Sequence, residues 1–242
     1  PDNWKEKIEK HDAIFFGAVG MPDRYPDHVT LWGSLLKFRR EFDQYINLRP
    51  VKLFPGINPP LANKKPGEID MIIVRENTEG EYSSVGGKMY EGTEREIVLQ
   101  ETIMSRHGVD RVQKFAFELA KLNGRKKVTL VHKANILKNS GTLLLDAGKD
   151  LIKSYPSIEL DDKIIDNMCM QLVTRPEQFD VIATDEAHTA KAQTLISILF
   201  ICFLTYLINS IALSSFNMVA SPTSSIGTGN MNISFPLCFK LY

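Results

Sequence analysis

"IDMIIVRENTEGEY", residues 69–82, decides how this chain is read. Ile69 to Val74 is nearly all apolar, as a short strand buried on both faces would be. Arg75 then leaves the strand end and a long polar, glycine-containing segment follows, residues 75–94. An apolar strand that stops abruptly at charged residues is the pattern of an α/β sheet carrying its chemistry where strands end.

The same pattern recurs on both sides. Upstream, Ala13 to Phe16 is a short apolar run closed by Gly17, and is expected to be another buried parallel strand. "LWGSLLKFRREFDQYI" has helical spacing, with Leu35, Phe38, Phe42 and Tyr45 on one side. "NLRPVKLFPG" reads as extended. Downstream, "EIVLQETI" is a returning strand. "GVDRVQKFAFELAKLNG" is the strongest helix, with Val109, Val112, Phe115, Leu119 and Leu122 as its apolar face and Asn123-Gly124 as its stop. "KKVTLVHKAN" is a strand running into a loop, a helix is expected over 141–154, and "KIIDNMCMQLV" and "FDVIAT" complete the alternation.

The bulk composition narrows the function. The 242 residues suffice for a sizeable core. Lys plus Arg, 29, equals Asp plus Glu, 29, which gives no general pull toward nucleic acid. Cys169, Cys202 and Cys238 have no CxxC spacing, which argues for a reducing, cytoplasmic setting. The chain begins at Pro1 without a signal-peptide layout and is expected to be a fragment.

Three strand ends hold the candidate chemistry. Arg39 and Arg49, ten residues apart, could grip a dicarboxylate by paired hydrogen bonds, although arginines on a helix are by themselves ordinary solvated residues. Arg75 is followed by Tyr82, a tyrosine that cations could turn into a general acid, or else part of an ordinary loop. Lys133 follows a strand, with Asn135 beyond; desolvated near other cations it could serve as a base, and otherwise it is a solvated lysine. His132 receives no role. Asp166 is a carboxylate suited to a hard cation, but one carboxylate is not a metal site.

Together these residues resemble the β-decarboxylating dehydrogenases, the isocitrate/isopropylmalate family. "VRENTEGEYS" is similar to the family's tyrosine loop, and "LWGSLLKFRREFDQYINLRP" looks most like the tartrate/D-malate branch. The resemblance covers residues 1 to about 183 and implies an isopropylmalate-dehydrogenase-like two-domain α/β fold, incomplete here. It implies NAD-dependent oxidative decarboxylation of a 2-hydroxy dicarboxylic acid, D-malate or tartrate, with Mg²⁺ or Mn²⁺. Arg39, Arg49 and Arg75 would hold substrate, Tyr82 and Lys133 would move protons, and Asp166 would reach the metal across a homodimer interface. Asn135 falls on the family's cofactor side, and Trp32 and Ser34 fall where the third substituent of the substrate is read.

Residues 184–242 depart from the family. Where it continues Asn-Leu-Phe-Gly-Asp-Ile-Leu-Ser-Asp, with two further metal-binding aspartates, this chain has "DEAHTAKAQ". Asp185 and Glu186 have the wrong spacing to replace them, and no adenine-binding segment follows, so slight activity is expected. Thr194 to Phe216 is 23 residues without a charge, long enough as a helix to span roughly 30 Å of hydrocarbon. It also has the composition of translated non-coding sequence, the origin favoured here. The alternatives to an enzyme are therefore an inactive dimerising or dicarboxylate-binding relative, or a membrane-anchored fragment through 194–216.

Overall fold

The computed structural model describes residues 3–16, 21, 23–59, 61–185, 215–216, 218–220 and 237–238. Almost all of the expected 194–216 helix lies outside them; its last two residues, Ser215–Phe216, form a short strand paired with Leu237–Cys238. Among the described residues no helix is long and apolar enough to cross a membrane.

The chain starts with α1 (Trp4–Ile8), α2 (Asp27–Thr30), a π-helical turn at Leu31–Leu35 and α3 (Leu36–Glu41). Strands β1 (Ile46–Lys52) and β2 (Asp70–Glu76) follow, then β3 (Gly80–Met89) and β4 (Ile97–Ile103). After them come α4 (Arg106–Leu122), β5 (Lys127–His132), α5 (Lys138–Leu151), β6 (Glu159–Ile164), α6 (Ile165–Thr174) and β7 (Val181–Thr184).

The main sheet runs β6-β5-β7-β2-β1, with Met218–Ala220 beside β1. β6, β5, β7 and β2 are parallel and β1 is antiparallel to β2. All four parallel strands therefore end at one edge, where Arg75, Lys133 and Asp166 lie. Burial is two-sided, as the apolar runs required. Val74, Val128, Leu130, Val181 and Ala183 pack toward α4 and α5. Met71, Ile73, Val131 and Ile182 pack toward Ile165, Met168 and Leu172 of α6.

Helix α4 starts two residues earlier than its "GVDR" pattern suggested, because the Ser105 hydroxyl accepts from the Gly108 N–H at 3.0 Å and caps the first turn. Its end is as expected. Gly124 takes φ +65°, letting Arg125 N donate to Ala120 O at 2.8 Å and Gly124 N to Lys121 O at 3.3 Å. Leu122 is exposed, and Ala116, Phe117 and Ala120 fill the buried face instead.

Three other expectations are corrected. Ala13–Phe16 is not a strand: no described strand lies beside it, Phe15 is exposed, and Phe16 packs its ring 4.8 Å from Phe38. The helix through residues 31–45 is broken. It ends at Glu41, Asp43 turns the chain with φ +42°, and Leu36 and Arg39 are its buried positions. The segment 75–94 is largely strand, since β3 pairs with β4 in a two-stranded ribbon. Its polar composition concealed it because the ribbon stands off the core.

Arg125 ties the far edge of the sheet. It donates to Asp70 O at 2.8 Å, Asp70 Oδ1 at 2.5 Å and Asp180 Oδ1 at 3.0 Å. Arg125→Ala should cost about 2 kcal/mol in urea unfolding, because it leaves partly buried acceptors unpaired. Burial alone would raise the Asp70 carboxyl, but hydrogen bonds from Arg125 and Lys52 outweigh it and lower the pKa. This stabilisation is complete above the unfolded carboxyl value, roughly 4, and is lost as pH falls through the lower folded value. The variant should lose that acid-limb dependence.

Candidate functional site

Strand register assembles the arginines. Asn47 lies opposite Arg75, and Arg75 opposite Thr184, which in turn faces Val131. Residues in one such row project to one face of the sheet. Arg49, two residues beyond Asn47, shares that face as a diagonal neighbour of Arg75, with Cα atoms roughly 7–8 Å apart. The two guanidiniums that the sequence separates by 26 residues are thus on adjacent strands and the same side.

A chain of hydrogen bonds brings in Arg39. The Arg39 carbonyl, near the end of α3, accepts from Gln44 N at 2.8 Å. The Gln44 carbonyl accepts from Asn77 Nδ2 at 2.9 Å, and Asn77 Oδ1 accepts from Arg75 Nη2 at 3.0 Å. Arg39, Arg75 and Asn77 are all buried. The Arg39 guanidinium lies 5.5 Å from the Tyr82 ring centre, a cation–π contact, and its Nη1 is buried without a hydrogen-bond partner. Next to it, Trp32 meets Tyr82 edge-on at 6.4 Å, and Arg40 covers Trp32 at 5.5 Å while donating to the Tyr82 carbonyl and to Ser84 Oγ. Arg39, Tyr82 and Trp32 therefore lie against one another, and Arg75 is tied to the Arg39 segment through Asn77 and Gln44. The Ser34 hydroxyl donates back to the Thr30 carbonyl within the π-helical turn.

Lys133 and Asp166 form a second group. Lys133 follows β5, Asp166 sits in the first turn of α6, and the two are ion-paired. The Lys133 side chain is mostly covered and Asp166 is exposed. The strand order places β7 between β5 and β2, so Lys133 stands about two strand spacings, roughly 10 Å, across the sheet edge from Arg75. Asn135 is exposed on the turn just past Lys133. No three His, Cys, Asp or Glu side chains gather to hold a metal ion among the described residues. Asp166 by itself does not make such a site.

Several supporting residues escaped sequence reasoning. The buried Glu76 carboxylate accepts from Thr78 N at 2.9 Å, Thr78 Oγ1 at 2.7 Å and Glu79 N at 2.8 Å, which turns the chain after β2. Glu79 accepts from Ser105 N at 2.8 Å and Ser105 Oγ at 2.5 Å, tying the tyrosine loop to the start of α4. Arg111 donates to Asp43 at 2.9 Å and Thr78 Oγ1 at 2.7 Å, clamping the loops on both sides. His132 was given no role, yet its Nδ1 accepts from Ala134 N at 3.1 Å and its Nε2 lies 3.0 Å from Asp162 Oδ2. A ring with Nδ1 as acceptor must carry its proton on Nε2, so it braces the loop around Lys133. The available signal was polar residues in or beside otherwise apolar strands.

The isocitrate/isopropylmalate dehydrogenase family pattern matches residues 1–188. This chain belongs to that family. It is 55% identical over 182 residues to the D-malate dehydrogenase [decarboxylating] of Escherichia coli (strain K12), covering 75% of this chain and 50% of that protein. It is 54% identical over 182 residues to the tartrate dehydrogenase/decarboxylase of Pseudomonas putida, with the same coverage of 75% and 50%. The chain thus spans about half the length of these curated relatives. Among solved structures, the isocitrate dehydrogenase from Methylococcus capsulatus superposes with a TM-score of 0.72 at 28% identity, over 98% of this chain and 62% of that one. The family supports an α/β dehydrogenase fold of which this chain carries a part.

Proposed function

We propose that this chain serves NAD-dependent oxidative decarboxylation of a 2-hydroxy dicarboxylic acid, D-malate or tartrate. The observation that carries the reading is the placement of Arg49 and Arg75 on one sheet face, with Arg39 on the segment bonded to Arg75 and its Nη1 buried without an acceptor. Arg39 and Arg75 are buried and Arg49 is half-buried. Guanidiniums so withdrawn from water carry a cost, and a carboxylate that offsets it by paired hydrogen bonds is the ligand that suits them. The identity to proteins named for D-malate and tartrate supports this substrate class.

In this reading the three arginines bind and orient the carboxylates. Lys133, contributed by the partner subunit, takes the hydroxyl proton, and Tyr82, held by Arg39 and Trp32, returns a proton to carbon. NAD would supply hydride acceptance and Mg²⁺ or Mn²⁺ Lewis acidity, with Asn135 toward the nucleotide and Asp166 toward the ion. Because Asp166 alone does not form an ion site, turnover by the isolated chain is expected to be slight.

A homodimer fits the β3–β4 ribbon. Val85, Met89, Ile97, Val98, Leu99 and Ile103 are all exposed on it. Two strands with such a surface are marginal by themselves and gain by being covered. The sparse, odd cysteine count suits a cytoplasmic, reducing location.

Calorimetric titration tests the proposal. D-malate or meso-tartrate should bind saturably and D-lactate, with a single carboxylate, at least tenfold more weakly. Equal binding of lactate, or no dicarboxylate binding, refutes it. A second reading, the non-catalytic dicarboxylate binder, rests on the sequence "DEAHTAKAQ" standing where the family has its two further metal-binding aspartates. It predicts the same binding with no NADH formed at saturating NAD and Mn²⁺.

Trp32 should set substrate size. It is pinned between Arg40 and Tyr82 at the edge of the arginine group. Trp32→Gly is expected to let dicarboxylates with a bulky third substituent, such as isopropylmalate, bind within about tenfold of D-malate. An unchanged preference between the two ligands refutes this role.

A further inference from the structure

The arginines account for the charge at this site but not for the residue between them. Asn47 is only 1% exposed, lies on β1, the next-to-last strand of the main sheet, and sits directly opposite Arg75. Its side chain could have been any apolar residue of strand-forming type. Instead its carbonyl oxygen accepts from Arg49 Nε at 2.8 Å. An arginine Nε–H only donates, so the atom facing it must be Oδ1, and the amide nitrogen necessarily occupies the other position. That nitrogen is buried and has no hydrogen-bond partner. Buried polar groups are almost always paired, and leaving one unpaired costs free energy.

Asn47 Nδ2 and, on the segment joined to Arg75 through Gln44 and Asn77, Arg39 Nη1 are both buried donors without acceptors. Asn47 shares its sheet face with both Arg49 and Arg75. A buried donor that lacks an acceptor, sharing a sheet face with two guanidiniums, calls for an anion with several lone pairs. We propose that Asn47 is a positioning residue for the dicarboxylate: its oxygen fixes the plane of the Arg49 guanidinium, and its amide N–H donates to the same carboxylate. The inference rests on the dicarboxylate reading above and deepens it.

Two substitutions separate the roles of the amide's two ends. Asn47→Ala removes both, and D-malate affinity should fall about tenfold. Asn47→Asp keeps the shape and still accepts from Arg49, and pairing with Arg49 and Arg75 protects its fold. It cannot donate, however, and its charge repels the ligand, so affinity should fall further than in Asn47→Ala. Melting temperature without ligand should stay near that of the unsubstituted chain for Asn47→Asp, while the D-malate-induced rise disappears. A purely structural Asn47 would move the first quantity and leave the second. Asn47→Asp binding D-malate within twofold of the unsubstituted chain, or more tightly than Asn47→Ala, overturns the proposal. If Asn47→Ala does not fold, the Asp variant decides alone. If the unsubstituted chain binds D-lactate as well as D-malate, the dicarboxylate reading itself fails and takes this inference with it; normal dicarboxylate selectivity with an indifferent Asn47→Asp refutes only the latter.

Discussion

Arg39→Met weakens D-malate binding by about two orders of magnitude and leaves the unliganded protein as stable as before, or more stable: that is the expected result. Two effects of opposite sign produce it. Arg39 is 7% exposed, and its Nη1 has no hydrogen-bond partner. In the unliganded chain that nitrogen is desolvated without compensation, a cost typically of about 1–3 kcal/mol. Methionine has a similar stem, can keep the contact with the Tyr82 ring through its sulfur, and carries no polar group to satisfy. With ligand bound, the guanidinium becomes one half of a buried, charge-assisted pair, and truncating such a pair costs about 2–5 kcal/mol. Calorimetry with D-malate reads the second effect and thermal melting the first. A variant that melts far lower while binding normally would make Arg39 a structural residue. The trade of stability against binding is the behaviour expected of a site kept for its ligand.

The sequence was legible where one physical demand dominated. The runs around Ile73, Val131 and Ile182 are apolar because helices cover both sheet faces, and no other arrangement accommodates them as well. Arg75 and Lys133 could be placed because each follows such a run directly. Legibility failed where a residue served a contact distant in the chain. Gln44 and Asn77 look like ordinary loop residues, and only the fold shows that the 2.9 Å bond between them joins the Arg39 and Arg75 segments. Asn47 looks like a polar interruption of a strand. Tyr45 was assigned to a helix face because the spacing continued past Phe42, but Asp43 had already turned the chain. Residues that act through local geometry are thus read worst when the pattern around them is regular.

The site also depends on a residue with no side chain. Gly141 lies in α5, where a Cβ would come within 2.5 Å of Ala134 Cα and 2.8 Å of Ala134 N. These are backbone atoms, and real Cβ contacts of that length do not occur, so the helix or the loop must move. Ala134 follows Lys133, its N–H is held by His132 Nδ1, and the Lys133 carbonyl accepts from Ile136 N at 3.0 Å and Leu137 N at 2.8 Å. The loop is therefore braced from both sides, and Gly141→Ala should cost about 2 kcal/mol despite alanine's better helix propensity, which returns up to about 1 kcal/mol. Gly148, one or two turns further along the same helix, gives the control. There the added methyl first meets the tip of the Leu130 side chain, which can rotate away. Gly148→Ala should thus be closer to neutral than Gly141→Ala in urea unfolding, although both glycines are buried on the same helix. A near-neutral Gly141→Ala would mean that the Lys133 loop yields freely. A loop that yields cannot hold an amine to the accuracy that proton transfer requires, and Lys133 would then lose its claim to the role of base.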